Sequence, residues 1–98
     1  MNTETEVKKI IVACAAGIGA SAMGANLLAK KVKSAGLNIS VVNCAISKLP
    51  DDVDIVVTHK DLTESAKKEA EQAKHLSLTN FLDSKFYDRL IEELTTTS

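Results

Sequence analysis

Aromatic side chains are scarce in this chain: it has no tryptophan, one tyrosine and two phenylalanines. Phe81, Phe86 and Tyr87 are too few to build a platform on which nucleic-acid bases stack. Cysteine is scarce as well. Cys14 and Cys44 form no CxxC pair, and a small secreted disulfide scaffold would carry more thiols. Together with His59 and His75 they would make four zinc ligands, but their spacing matches no finger or ribbon. No metal or cofactor is expected. An excess of one charge is also missing. The net charge of -1 offers no general attraction to nucleic acid or to an anionic membrane surface. Residues 10–29 carry no charge and have the length of a membrane span. They are mostly Ala, Gly, Ser and Asn, however, and change midway from a β-branched run to a small-residue loop. The acidic Met1–Glu6 segment is unlike a signal n-region. The expectation is a cytoplasmic protein with reduced thiols.

At 98 residues the chain is long enough to bury one core without staples. It is read as a single domain, 1–98, with an ordered core over about 7–94 and frayed polar ends. Strand-like and helix-like patterns alternate. Strands are expected at Lys8–Ala13, Ile39–Val42, Val53–Thr58 and His75–Leu78. Helices are expected at Ser21–Ser34, Leu62–Ala73 and Ser84–Leu94. Helix one presents Met23, Leu27, Leu28 and Val32 on one face and stops at Gly36. The last helix presents Phe86, Leu90, Ile91 and Leu94, with Asp83 as N-cap. Pro50-Asp51-Asp52 marks a turn. This order implies an α/β fold: a single open four-stranded parallel sheet, Rossmann-like, with helices on both faces. Ligands of such sheets bind beyond the carboxyl ends of the strands. Cys14 lies at that end of strand one, and Cys44, Thr58 and Thr79 follow strands two, three and four.

The run Ile10-Ile11-Val12-Ala13 ends on Cys14, and Ala15-Ala16-Gly17-Ile18-Gly19-Ala20 leads into a helix near Ser21. A thiol below a loop of backbone N–H groups at a helix N-terminus suits an anion and a thiolate. Several phosphate chemistries fit in part. Gly19 to Gly24 has Walker A spacing, but Ala25-Asn26 replaces the lysine and hydroxyl. Gly17-Ile18-Gly19-Ala20-Ser21-Ala22 satisfies a dinucleotide fingerprint, but Asn43-Cys44 stands where an acid should hold the ribose. A cysteine phosphatase needs Cys-x5-Arg, and the sixth residue after Cys14 is Ala20. Without that guanidinium, hydrolysis loses its main charge stabilisation. A phosphocysteine could then persist and pass its phosphoryl group on. The loop reads as a phosphatase-like phosphate loop built for a carrier.

In this reading Cys14 is the nucleophile and the covalent intermediate. The N–H groups of Ala15, Ala16, Gly17, Ile18, Gly19, Ala20 and Ser21 form the phosphate nest. Ser21 adds a hydroxyl donor, and Ser40 and Thr58 are further candidates. The helix dipole favours the thiolate and should lower the Cys14 pKa. Cys44, with no loop around it, reads as packing. His59 and His75 read as surface or hydrogen-bonded side chains.

The segment Lys9–Ala25 resembles the active-site segment of the mannitol-type enzyme IIB of the bacterial phosphoenolpyruvate-dependent sugar phosphotransferase system. The resemblance continues through Asn43-Cys44-Ala45-Ile46, Leu49–Asp54, Val57–Thr63 and Ser77–Asp83. It implies that a phosphohistidine of enzyme IIA phosphorylates Cys14. The phosphoryl group then goes to a sugar or polyol held by membrane enzyme IIC, at the inner face of the membrane. The charge and the few aromatics point to no nucleic-acid partner, and the isolated chain is expected to be a monomer. Two positions depart from the pattern: Ala15 stands where Asp is common and Ala20 where Ser is frequent. A regulatory module signalling through Cys14 is the alternative, with a cysteine-dependent phosphatase behind it.

Overall fold

The computed structural model describes residues 7–15 and 19–96. Ala16, Gly17 and Ile18 of the expected nest lie outside them, as do Met1–Glu6 and the last two residues. The elements are β1 (Lys9–Cys14), α1 (Ala20–Ser34), β2 (Ser40–Ala45), β3 (Ile55–His59), α2 (Thr63–Glu69), β4 (Lys74–Leu78) and α3 (Ser84–Thr96), with short 3-10 turns at Ile46–Lys48 and Lys60–Leu62. The four strands form one parallel sheet in the order β2-β1-β3-β4. The expected α/β class and four-stranded parallel sheet are therefore present.

Alternation along β1 explains both faces. Ile10 and Val12 join Leu28, Val32, Ile55, Val57, Tyr87, Leu90 and Leu94 on the face covered by α1 and α3. Ile11 and Ala13 join Ile46, Leu49, Val56, Ala66 and Ala70 on the face covered by α2 and the first 3-10 turn. Side chains alternate along a strand, so a strand covered on both faces must be apolar throughout. Ile55-Val56-Val57 meets that demand and is buried at every position.

Boundaries shifted where pairing or capping overrode local pattern. β2 starts at Ser40 and runs on through Cys44 to Ala45, because the ladder with β1 continues to the pair Cys14–Ala45. β3 starts at Ile55, not Val53. The Asp54 carboxylate turns back to accept the Lys8 and Lys9 N–H groups at 2.8 and 2.9 Å. α2 ends at Glu69 rather than Ala73. Ala70 leaves helical geometry at φ −138°, and His75 Nε2 lies 2.7 Å from the Ala70 carbonyl oxygen. α3 continues through Thr96 instead of fraying after Leu94.

The exit of α1 follows the expectation. Gly36 takes φ 73°, its N–H donates to Lys33 O, and the Leu37 N–H donates to Val32 O. That pair of bonds is a Schellman cap. Two helix faces differ from expectation. Met23 is exposed, and α1 buries Ser21, Gly24, Ala25, Leu28 and Val32. On α3 the fully buried residue is Tyr87, while Phe86 and Ile91 pack at the margin. Tyr87 Oη donates to the Phe81 carbonyl at 2.8 Å. It lies directly below Gly24, where an added Cβ would fall 2.7 Å from it. The small residues of α1 thus make room for the tyrosine.

Candidate active site

From β1 the chain proceeds to β2 on one side, while β3 lies on the other. The carboxyl end of β1 is therefore the switch point of the sheet, where open α/β folds form their binding crevice. Cys14 is the last residue of β1, half-buried, and its thiol donates to Ser21 Oγ at 3.0 Å. As a thiolate it would accept from the Ser21 hydroxyl instead. Ser21 is fully buried in the first turn of α1.

The start of α1 suits an anion. Gly19 is the N-cap residue at φ 76°, a backbone region favouring glycine, and it has no side chain with which to cap the helix. Its first turn holds no acid, while Lys31 and Lys33 sit in the last turn. The positive end of the dipole therefore faces the Cys14 rim without an internal counter-charge. Ala15 and Ala20 are exposed beside Cys14 and Ser21. Of the expected nest, the described residues are Ala15, Gly19, Ala20 and Ser21.

The other candidates fall elsewhere. Ser40 begins β2 and pairs with Lys9, so it lies at the opposite end of the sheet from Cys14. Thr58 is inside β3, and its hydroxyl is bonded to Thr63 at 2.8 Å. Thr58 pairs with Ala13 and shares its face, away from the Cys14 side. Cys44 likewise packs on the Ala13 face. Neither cysteine is in a disulfide, and strand alternation holds the two thiols on opposite faces. Burial, with a smaller contribution from Cys14, pushes the Cys44 thiol up from its ordinary pKa. Among the described residues, no group of three or more His, Cys, Asp or Glu side chains could hold a metal ion. A cleft of about 660 Å³ lined by Val7, Leu37, Ile39 and Leu94 opens near the amino ends of β1 and β2, far from Cys14.

The sequence profile described as "PTS system, Lactose/Cellobiose specific IIB subunit" matches residues 9–93. The chain belongs to this phosphotransferase-system IIB family. Among similar proteins, the PTS system mannitol-specific EIICBA component of Klebsiella pneumoniae is 62% identical over 94 residues, covering 95% of this chain and 15% of the relative. The component of the same description from Escherichia coli is 60% identical over 94 residues, again 95% of this chain and 15% of the relative. The mannitol-specific EIICB component of Bacillus subtilis is 60% identical over 88 residues, 90% of this chain and 18% of the relative. This IIB chain therefore spans less than a fifth of the length of these relatives.

One polar cluster escaped sequence reasoning. Thr63 Oγ1 lies 2.8 Å from Thr58 Oγ1 and 2.5 Å from Ser77 Oγ, and it approaches the His59 carbonyl at 3.3 Å. It ties the carboxyl ends of β3 and β4 to the start of α2. No local pattern signals it, because Ser77 comes from a separate strand.

Proposed function

We propose that this chain is one IIB domain that carries a phosphoryl group on Cys14 from enzyme IIA to a sugar or polyol at enzyme IIC. The observation that supports it most is the half-buried Cys14 thiol at the sheet's switch point, 3.0 Å from Ser21 Oγ in the first turn of α1. The fused EIICBA and EIICB relatives support IIA and IIC as partners. Identity near 60% to mannitol-specific components favours a mannitol-like polyol over the disaccharides in the family description. Among the described residues, no helix is long and apolar enough to cross a membrane.

In the first step the Cys14 thiolate attacks phosphorus in line. The S–P bond forms as the P–N bond of the phosphohistidine breaks. The electron pair returns to the imidazole nitrogen, and the imidazole ends with the proton that the thiol gave up. In the second step an acceptor hydroxyl attacks phosphorus, the O–P bond forms and the thiolate leaves. Backbone N–H groups of residues 15–21 and the Ser21 hydroxyl meet the phosphoryl oxygens. Ala20 leaves the loop without the arginine a phosphatase uses, which suits storage over hydrolysis. Ala15 removes a carboxylate from beside the dianion and so changes what the partner surface meets.

The test incubates the full chain with phosphoenolpyruvate, the general phosphotransferase proteins and a IIA protein. The intact mass of the wild type should rise by one phosphoryl group, and Cys14→Ser should show no thiol-phosphate. Adding IIC membranes and mannitol should yield mannitol phosphate. Normal mannitol phosphorylation by Cys14→Ala would overturn the proposal.

A further inference from the structure

His59 ends β3, on the far side of the switch point from the β1–β2 pair. The β1–β3 register closes on the pair Ala13–Thr58, so one further step sets Cys14 beside His59. Ile55 and Val57 share a cluster with Ile10 and Val12, and Val56 sits opposite with Ile11 and Ala13. Alternation therefore puts His59 on the Cys14 face. Neighbouring strands are about 4.8 Å apart, which is within reach of an imidazole.

The ring is also held in one orientation. Its Nδ1 accepts the Asp61 N–H at 3.1 Å, which in the neutral ring leaves Nε2 as the N–H donor, and the Asp61 carboxylate lies 3.5 Å from the same Nδ1. The His59 carbonyl is tied to Thr63, which Thr58 and Ser77 hold in turn. The side chain is 31% exposed. The outer nitrogen is thus available as an N–H donor at the strand end next to Cys14.

We infer that His59 is a further catalytic residue of the transfer, its Nε2–H donating to an oxygen of the phosphoryl group as that group arrives on and leaves Cys14 Sγ. This rests on the carrier reading above. His59 exchanges no proton; it supplies a charge-assisted hydrogen bond that strengthens as negative charge collects on the phosphoryl oxygens. A capping role alone, through Nδ1 to Asp61, is the competing explanation, and isosteric substitutions separate the two.

In His59→Asn the amide oxygen can still accept the Asp61 N–H, while the outer donor is lost. In His59→Gln the amide nitrogen replaces the outer donor, while the inner acceptor is lost. Transfer is followed with labelled phosphoryl-IIA and the full chain, with melting curves for each variant. The expected result is a fall of roughly tenfold or more in the transfer rate for His59→Asn at unchanged melting temperature. His59→Gln, which keeps an outer donor but loses the bond that orients it, should transfer faster than His59→Asn, and equal rates for the two variants would count against the donor role. Full-rate transfer by His59→Asn on a labelled wild-type background would overturn this inference alone. Failure of wild-type Cys14 to take label would overturn the carrier reading and this inference together. Nitrogen-15 spectra of the wild type give an independent check, since the chain has only two histidines. The protonated His59 Nε2 resonance should shift when Cys14 is phosphorylated, and an unmoved resonance would also overturn the inference.

Discussion

Cys14 and Ser21 are seven positions apart and meet because the chain turns between β1 and α1. The donor beside the thiol is the feature whose removal is easiest to read. A hydrogen bond to a charged partner contributes about 1.5–3 kcal/mol. In Ser21→Ala the thiolate loses that donor, so alkylation of Cys14 by iodoacetamide at neutral pH should slow by roughly tenfold. Peptide mass mapping separates Cys14 from Cys44, whose raised pKa should make it the slower thiol throughout. An unchanged Cys14 rate would show that the hydroxyl does not support the thiolate. Tyr87 offers a second residue-scale test. Burial first, and the Asp83 carboxylate second, push its pKa up to about 12. The unfolded tyrosine loses its proton near the ordinary value of about 10. The unfolded state therefore binds fewer protons between those two values. Stability from the neutral buried phenol is complete below pH ~10 and is lost as pH rises toward 12. With one tyrosine and no tryptophan, tyrosinate absorbance reports Tyr87 alone. Its midpoint should lie well above that of free tyrosine, and Tyr87→Phe should flatten the alkaline fall in stability.

At the scale of elements, α1 and α3 show how composition becomes close packing. Gly24 carries no side chain because Tyr87 Oη and the Phe81 carbonyl oxygen occupy that space, 2.7 and 3.0 Å from where a Cβ would stand. Gly24→Ala should destabilise the fold by about 1–3 kcal/mol through overpacking, despite alanine's better helix propensity. The penalty should shrink in a Tyr87→Phe background, because the nearest atom is gone. Urea unfolding of the two single variants and the double variant measures that coupling; strict additivity would refute the contact. The expected α1 face with Met23 inward came from reading large apolar residues as core. The inward stripe instead consists mainly of small residues, since Tyr87 fills the space beneath. Asp83 as the α3 N-cap was legible locally, and its Oδ1 accepts the Phe86 N–H at 3.2 Å.

Across the whole molecule, the order β2-β1-β3-β4 makes β1 and β3 the strands paired on both sides. Both are also buried on both faces over most of their length. Amides of Ile11–Ala13 and Val56–Thr58 should exchange slowest with solvent, at a free energy near that of global unfolding. Edge-strand amides of β2 and β4 should open more readily. Nuclear magnetic resonance exchange rates would test this ranking, and better protection in β2 than in β1 would contradict it. The same order explains why Cys14 and His59 share one rim. The two central strands deliver Cys14 and His59 to their carboxyl ends, while Asp54, which binds the Lys8 and Lys9 amides, stabilises the other end.

The sequence by itself determined the alternation of strands and helices, the buried run Ile55–Val57, the stop at Gly36 and the prominence of Cys14. These rest on periodicity, β-branched content and glycine's tolerance of positive φ, which are local properties of a chain. Only the tertiary structure decided which face each cysteine takes, that Tyr87 fills the space over Gly24, and that Thr63 joins Thr58 to Ser77. It also set Ser40 at the opposite end of the sheet from Cys14, and His59 at the same end as Cys14. Those outcomes depend on strand order and register, which link residues tens of positions apart and which no local pattern encodes.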